Sequence, residues 1–285
     1  MTPLDPRRTP LVAVAAAVFL VALKGAGASM TGSLALGSAA LDSLVDLFIS
    51  AANYLVLRRS AAPPDADHAY GHGKFENLAA LGQGLFLLAA GAGIVWGGVN
   101  RLISGDVPRE TGWGIAVLAV SLVVSLGVSR TLQQAAERTG SPALKADSLH
   151  YSTDLWVNGA ALGALLVIRF TGWAPADPLV ALAVAVLVFR AGASLVLEAT
   201  GDLSDRGLPP EDLRRIQEVV AAFPEVAGMH DLRTRRSGGQ RFIELHLEIP
   251  RDTSFVDSHT LMVRVLRAIE SELPHSKVFV HGDPV

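Results

Sequence analysis

The chain of 285 residues is 50% hydrophobic and only 18% charged, with a mean hydropathy of +0.38, which excludes an ordinary soluble domain of this size. A formal charge of −3 gives no overall attraction to nucleic acid or to anionic surfaces. With no cysteine there are no disulfides, thiolate zinc sites or cysteine nucleophiles, so any metal must be held by His, Asp and Glu.

At the N-terminus, "MTPLDPRRTP" sets Arg7 and Arg8 before an apolar run. The run goes on past signal-peptide length without a convincing cleavage site, and reads as a first membrane helix with no cleaved signal. A hydrocarbon core about 30 Å thick takes about 20 apolar residues per helix. Six stretches meet that length, near 9–30, 33–57, 77–101, 112–133, 144–169 and 178–199. The third and sixth are rich in Gly and Ala, which lets helix backbones approach closely where lipid supplies no hydrophobic drive for association. One set of flanks carries Arg7, Arg8, Arg58, Arg59, Lys74, Arg130, Arg138 and Lys145, the other only Arg101, Arg109 and Arg169. That bias places both termini in the cytoplasm.

Within the second helix, "SAALDSLVDLF" puts Asp42 and Asp46 four positions apart, one above the other on a single face that Asn53 continues. In the fifth, "KADSLHYSTDLWVNG" repeats the device with Asp147, His150, Asp154 and Asn158. A carboxylate at membrane depth costs roughly 2.5–3.5 kcal/mol on insertion scales, so these groups must face inward and share a cation. Asp42, Asp46, His150 and Asp154 supply three carboxylates and an imidazole, a set that suits a tetrahedral divalent metal such as zinc. Polar helix glue is the bland alternative, but matched acidic and His/Asp pairs are rarer than single glue residues. Lys24 and Arg190 are weaker signals, able to snorkel or to neutralise a buried acid.

Between the second and third helices, "PPDADHAYGHGKFE" spaces Asp65, His68 and His72 as D-x2-H-x3-H. Its prolines and glycines argue for a loop, so spacing alone leaves open both a metal site and a polar loop.

After about residue 200 the pattern turns charged and soluble. An amphipathic helix in "PPEDLRRIQEVVAAF", strands "VAGMHDLRTRR" and "RFIELHLEIP" about a Ser-Gly-Gly turn, a helix over 257–273 and a strand "KVFVHGD" give the order αββαβ. The expected architecture is an all-α six-helix transmembrane domain over 1–206 and a cytoplasmic α+β, metallochaperone-like domain over 207–285. His230, His246, His259, His281 and Asp283 form a third candidate cluster there. It becomes a site only if strand pairing brings them together.

Together "LDSLVD", "DADHAYGHGKFE", "ADSLHYSTD", "HDLRTRRSG", "RFIELHLEI" and "HGDP" resemble the cation diffusion facilitator family, in its bacterial zinc and ferrous-iron efflux branch. The resemblance covers nearly the whole chain. It implies a homodimeric inner-membrane transporter, not an enzyme, that exports a divalent metal, above all Zn2+, in exchange for protons by alternating access. Fe2+, Cd2+ or Mn2+ are alternative cargoes. By the same resemblance Asp42, Asp46, His150 and Asp154 hold the transported ion. Asp65, His68 and His72 make a loop site facing the cytoplasm, and the five residues of the soluble domain make a two-metal site that supports the dimer. Lys74 with Asp205 would be a charge pair steadying the hinge between domains. One departure is Gly282, where relatives often have glutamine between the equivalents of His281 and Asp283. Two other classes compete. A membrane metallohydrolase needs an open metal position and a separate general base, and no H-E-x-x-H is present. A metal sensor without transport leaves the polar stripes at membrane depth unexplained.

Overall fold

The computed structural model describes residues 9–31, 34–104 and 112–285; Arg7, Arg8 and Arg109, three of the flanking basic residues, lie outside them. Six long helices come first: α1 (Thr9–Thr31), α2 (Leu34–Ser60), α3 (Lys74–Ser104), α4 (Gly112–Thr139), α5 (Pro142–Thr171) and α6 (Ala176–Leu203). Among the described residues these six are long and apolar enough to cross a membrane. They outrun the stretches expected from hydropathy: α3 begins at Lys74 rather than 77, and α4 runs to Thr139 rather than 133. Residues such as Gln133, Glu137 and Arg138 favour helix but not hydrocarbon, so hydropathy stops where the helix does not. The 31 residues of α3 span about 46 Å, more than the hydrocarbon thickness.

Local chemistry sets the ends of α5, the helix that carries most of the polar stripe. Ser141 caps its start by accepting from the Leu144 N–H at 3.2 Å, and Pro142 occupies the first turn, where its missing N–H costs nothing. Gly172 closes it at φ 70°, its N–H donating to the Ile168 carbonyl at 2.8 Å.

Small residues define the seam between α3 and α6. Gly84, Gly91 and Gly98 recur every seven positions on α3, and a Cβ at each would press on Val196, Phe189 and Leu182 of α6 respectively. Gly192 answers from α6, lying against the backbone of Gly84 and Leu88. Leu87, Val184, Val188 and Leu195 fill the rest of this layer together with Ala146 of α5. A second layer joins α1, α4 and α5 through Ala13, Val128, Leu132, Leu144 and Tyr151. At one end of the bundle Arg101 of α3 pairs with Asp177 of α6 at 2.8 Å; at the other, Lys145 of α5 pairs with Glu198 of α6 at 2.5 Å.

The chain divides into two compact units, one up to Ala199 and one from Thr200 onward. The second holds α7 (Pro210–Ala221), β1 (Gly228–Ser237), β2 (Gln240–Ile249), α8 (Phe255–Glu272) and β3 (Ser276–Pro284), in the expected αββαβ order. β2 is central, antiparallel to β1 and parallel to β3, with α8 making the crossover. The alternation in "RFIELHLEIP" works as expected: Ile243, Leu245, Leu247 and Ile249 are buried against Ile216 and Val220 of α7 and Leu261, Val265 and Ile269 of α8. The opposite face of the strand is therefore free to carry polar groups.

Candidate metal sites

Inside the helical unit, α2 and α5 bring Asp46, His150 and Asp154 together. His150 Nε2 lies 3.2 Å from Asp46 Oδ1 and 3.9 Å from Asp154 Oδ2, and one donor atom from each residue falls within 4.8 Å of the others. Asp42, one turn before Asp46, stands outside this tight group but lines the same cavity of about 490 Å³. Lys24, Asn158, Ser121 and Ser125 also face that cavity, and Lys24 Nζ donates to Ser43 Oγ at 2.7 Å. Phe86 of α3 and Tyr151 set the edge-on surroundings of the His150 ring, with centroids 5.9 and 5.7 Å away. Arg190, the weaker cationic signal, is exposed on α6.

Tyr151 and Glu76 were not legible as site residues, yet both lock the helices around the cluster. Tyr151 is fully buried, shares a hydrogen bond with Ser50 of α2 at 3.1 Å and donates to the Ala13 carbonyl of α1 at 3.1 Å. Glu76 at the start of α3 accepts from Ser60 of α2 at 2.6 Å and from the cap residue Ser141 of α5. Three helix ends thus share one carboxylate, and the serine caps in the sequence were the available signal.

The α2–α3 loop does assemble its motif. Asp65 Oδ1 accepts the backbone N–H of Asp67 at 3.1 Å and of His68 at 2.7 Å, a side-chain turn, and Gly71 at φ +89° reverses the chain. The His68 N–H bond holds the Asp65 carboxyl below the usual carboxylate range, so it is anionic at neutral pH. The result sets His72 Nε2 3.1 Å from Asp65 Oδ2 and His68 Nδ1 3.3 Å from Asp65 Oδ1. The His72 side chain is wholly buried and neither ring nitrogen has a hydrogen bond of acceptable geometry. Orphaned buried imidazole beside a carboxylate is what a metal ligand looks like without its metal. The donor set fits a divalent ion.

In the sheet, strand register does the work that spacing could not. His230 of β1 faces His246 of β2, which faces His281 of β3, so three imidazoles form a row across adjacent strands. Ring centroids are 5.3 and 4.8 Å apart. Asp283 lies among them, accepting from His246 Nδ1 at 2.8 Å, 3.2 Å from His230 Nε2 and 3.3 Å from His281 Nε2. The hydrogen bond from His246 holds the Asp283 carboxyl below the usual carboxylate range. A lowered carboxyl contributes stability that is present above its ordinary range and lost as pH falls through the lowered value. Asp283→Asn should therefore lower the melting temperature of the metal-free cytoplasmic domain slightly at neutral pH, with the gap closing in strong acid; a pH-independent gap would refute this assignment. Three imidazoles and a carboxylate fit zinc.

The same geometry adds Glu248 to the cluster, 3.1 Å from His230 Nδ1. It sits two positions beyond His246 on the same strand face, a signal in the alternation that spacing to the next histidine obscured. Gly228 makes room for it, since a Cβ there would overlap the Glu248 carboxylate. A bulge after His230, with Asp231 at φ 50°, shifts the register at the edge of the row. His259 is on the exposed side of α8, outside the row. At position 282 a Cβ would meet Met262 Sδ of α8 at 2.9 Å and Ile249 Cδ1 at 3.3 Å, so a side chain there would need the flexible Met262 to shift. Lys74 opens α3, and Asp205, at φ 58°, lies 3.6 Å from Arg235 within the second unit.

Among the described residues, six helices long and apolar enough to cross a membrane carry an acidic and histidine cluster able to hold a divalent cation, and a histidine-bearing α+β domain follows them. The family description "Cation efflux transmembrane domain" matches residues 11–204, and "Cation efflux protein, cytoplasmic domain" matches 208–285. The cation-efflux pump FieF of Escherichia fergusonii is 38% identical over 277 residues, 97% of this chain and 92% of the relative. FieF of Escherichia coli strain K12 / DH10B has the same identity and coverage. Among solved structures, the metal-bound C-terminal domain of the CzcD transporter from Thermotoga maritima is 29% identical over 26% of this chain and 87% of its own, with a TM-score of 0.26. The chain belongs to the cation efflux, or cation diffusion facilitator, family, in its bacterial branch. It is a multi-pass membrane protein of divalent-cation efflux and not an enzyme.

Proposed function

We propose that this chain exports Zn2+ from the cytoplasm in exchange for protons, as a homodimer in the bacterial inner membrane with both termini cytoplasmic. The observation that carries the reading is the convergence of Asp46, His150 and Asp154 on one cavity, with Asp42 in its wall. Carboxylates and imidazole bind a dication only after losing their protons, so protons and metal compete for the same atoms. His150 is the coupling group because imidazole changes charge in the physiological range. Zinc enters from the cytoplasm, the helices reorient, and outside protons displace it and return in its place. An imidazole with flanking carboxylates favours zinc over the harder dications, which prefer all-oxygen sites. The test is zinc uptake into proteoliposomes with and without an imposed pH gradient: uptake should rise with the gradient and fall back to the gradient-free rate when an ionophore collapses it. Gradient-independent uptake would remove protons from the cycle.

Asp65, His68 and His72 act as a cytoplasmic loop site that captures the ion or steadies the α2–α3 connection, and Lys74 with Asp205 braces the hinge. In the cytoplasmic domain, His230, His246, His281 and Asp283 hold zinc that cross-braces three strands, and with His259 of α8 they make the two-metal site that supports the dimer. Calorimetric titration of residues 207–285 should find high-affinity zinc sites, with affinity reduced about 100-fold or more in the His246→Ala, Asp283→Ala double variant, as loss of two ligands requires. Unchanged binding would leave the domain as a dimer scaffold alone.

A further inference from the structure

The Asp46–His150–Asp154 cluster has open space on one side and buried polar groups on the other. The cavity runs from His150 toward Asp42, Lys24 and Asn158. In the opposite direction, toward the Lys145–Glu198 end of the bundle, each of three helices presents one more polar residue. Asp147 precedes His150 by three on α5, Asn53 follows Asp46 by seven on α2, and Gln83 precedes Phe86 by three on α3. These offsets of one or two helical turns put all three next to the cluster on the side where α6 runs into the second unit.

None of the three lines the cavity. Asp147 is 0% exposed, Asn53 3% and Gln83 7%. Both carboxylate oxygens of Asp147, and both the oxygen and the nitrogen of the Gln83 amide, lack hydrogen-bond partners. The Asn53 amide makes one long bond of 3.5 Å, to the Ala143 carbonyl. The Asn53 and Gln83 amides nonetheless come close enough to the Asp147 carboxylate to interact with it as hydrogen-bonding groups, short of the distance and angle of a formed bond. A buried carboxylate held only by near-miss contacts to two amides is a poor structural element, because burial with incomplete hydrogen bonding is destabilising. The arrangement makes sense if the groups acquire a partner in another conformation of the cycle, when this side opens.

We propose that Asp147, Asn53 and Gln83 form a second cation station, one turn to the cytoplasmic side of the transport cluster, which a divalent metal ion occupies in transit and leaves when this side closes. The proposal rests on the reading of Asp46, His150 and Asp154 as the transport site. Its donors are a carboxylate and two amide oxygens, hard ligands that admit most divalent cations with a partial water shell. Selectivity therefore stays with the imidazole-bearing cluster, and the station sets the rate of entry. Without an imidazole, a carboxylate and two amide oxygens hold zinc more weakly than the cluster does, so the ion passes on.

The test uses full-length protein in proteoliposomes and nanodiscs, with zinc as the probe. Asp147→Asn, which keeps shape and removes charge, should raise the KM for zinc entry five-fold or more while the zinc affinity of the Asp46–His150–Asp154 cluster at equilibrium stays within two-fold. Gln83→Glu adds a carboxylate and should bind one further zinc ion per chain and slow turnover, a gain that misfolding cannot imitate. Unaltered KM in Asp147→Asn, or no additional bound ion in Gln83→Glu, would overturn the station. So would loss of cluster affinity in Asp147→Asn, which would mark Asp147 as a positioning residue of the cluster. Asp46→Ala is run alongside: wild-type transport by that variant would sink the transport site itself, whatever the station variants do.

Discussion

Asp46→Asn and His150→Ala are each expected to weaken zinc binding at the membrane cluster about 10- to 100-fold and to bring transport close to background. Hydrogen bonds and contacts involving a charged partner are worth about 1.5–3 kcal/mol each, and each 1.4 kcal/mol is a factor of ten in affinity. Both residues belong to the tight group, where His150 Nε2 is 3.2 Å from Asp46 Oδ1 and neither side chain faces bulk water freely. Asp42→Asn should cost less in equilibrium affinity, because Asp42 stands in the cavity wall and outside the group whose donor atoms lie within 4.8 Å. The measurement is zinc binding and initial uptake rate for the three variants side by side. Equal losses at Asp42 and Asp46 would mean that the binding conformation draws Asp42 in by a full ligand distance. Wild-type transport in Asp46→Asn would remove the cluster from the pathway.

The sequence was informative about the helical unit because membrane insertion penalises polar groups so heavily that each exception must have a purpose. Asp42, Asp46, His150 and Asp154 could be singled out from period and hydropathy alone. Their division into a tight trio and an outlying fourth could not, since it depends on how α2 and α5 are rotated about their axes. In the loop, Pro63, Pro64, Gly71 and Gly73 signalled irregular backbone, yet the turn that Asp65 builds with its own carboxylate is long-range only by three residues and needs no tertiary contact. The sheet was harder. His230, His246 and His281 lie on three separate strands, and only pairing of β1 and β3 on either side of β2 aligns them. Alternation in β2 revealed that His246 and Glu248 share a face but not that Glu248 reaches His230 across the edge. Asp147 was visible as part of the stripe, whereas its full burial without a well-formed hydrogen bond is a property of packing that no periodicity encodes.

Gly192→Leu is expected to be the most disruptive single change outside the metal sites. In lipid, α3 and α6 gain nothing by hiding apolar side chains from water, so their association depends on close backbone contact along a groove of small residues. A Cβ at position 192 would already stand 3.0 Å from the Gly84 carbonyl and 3.1 Å from the Leu88 nitrogen, and neither is a flexible chain end that could move aside. A Cβ at Gly84 is as tight, 3.0 Å from the Val196 nitrogen. Alanine at either site should therefore cost about 1–3 kcal/mol, the range for overpacking, and leucine more because the helices must separate along the whole seam. Gly97, on α3 with open space around its Cβ position, is the control and should accept alanine without loss. Thermal unfolding of the detergent-solubilised chain should rank Gly192→Leu below Gly192→Ala and both below Gly97→Ala. If Gly192→Leu melted with the control, α3 and α6 would be held by something other than this contact. Because Gln83 immediately precedes Gly84, a seam forced open there should also perturb metal entry before it perturbs the Asp46–His150–Asp154 cluster, which α2 and α5 build without α6.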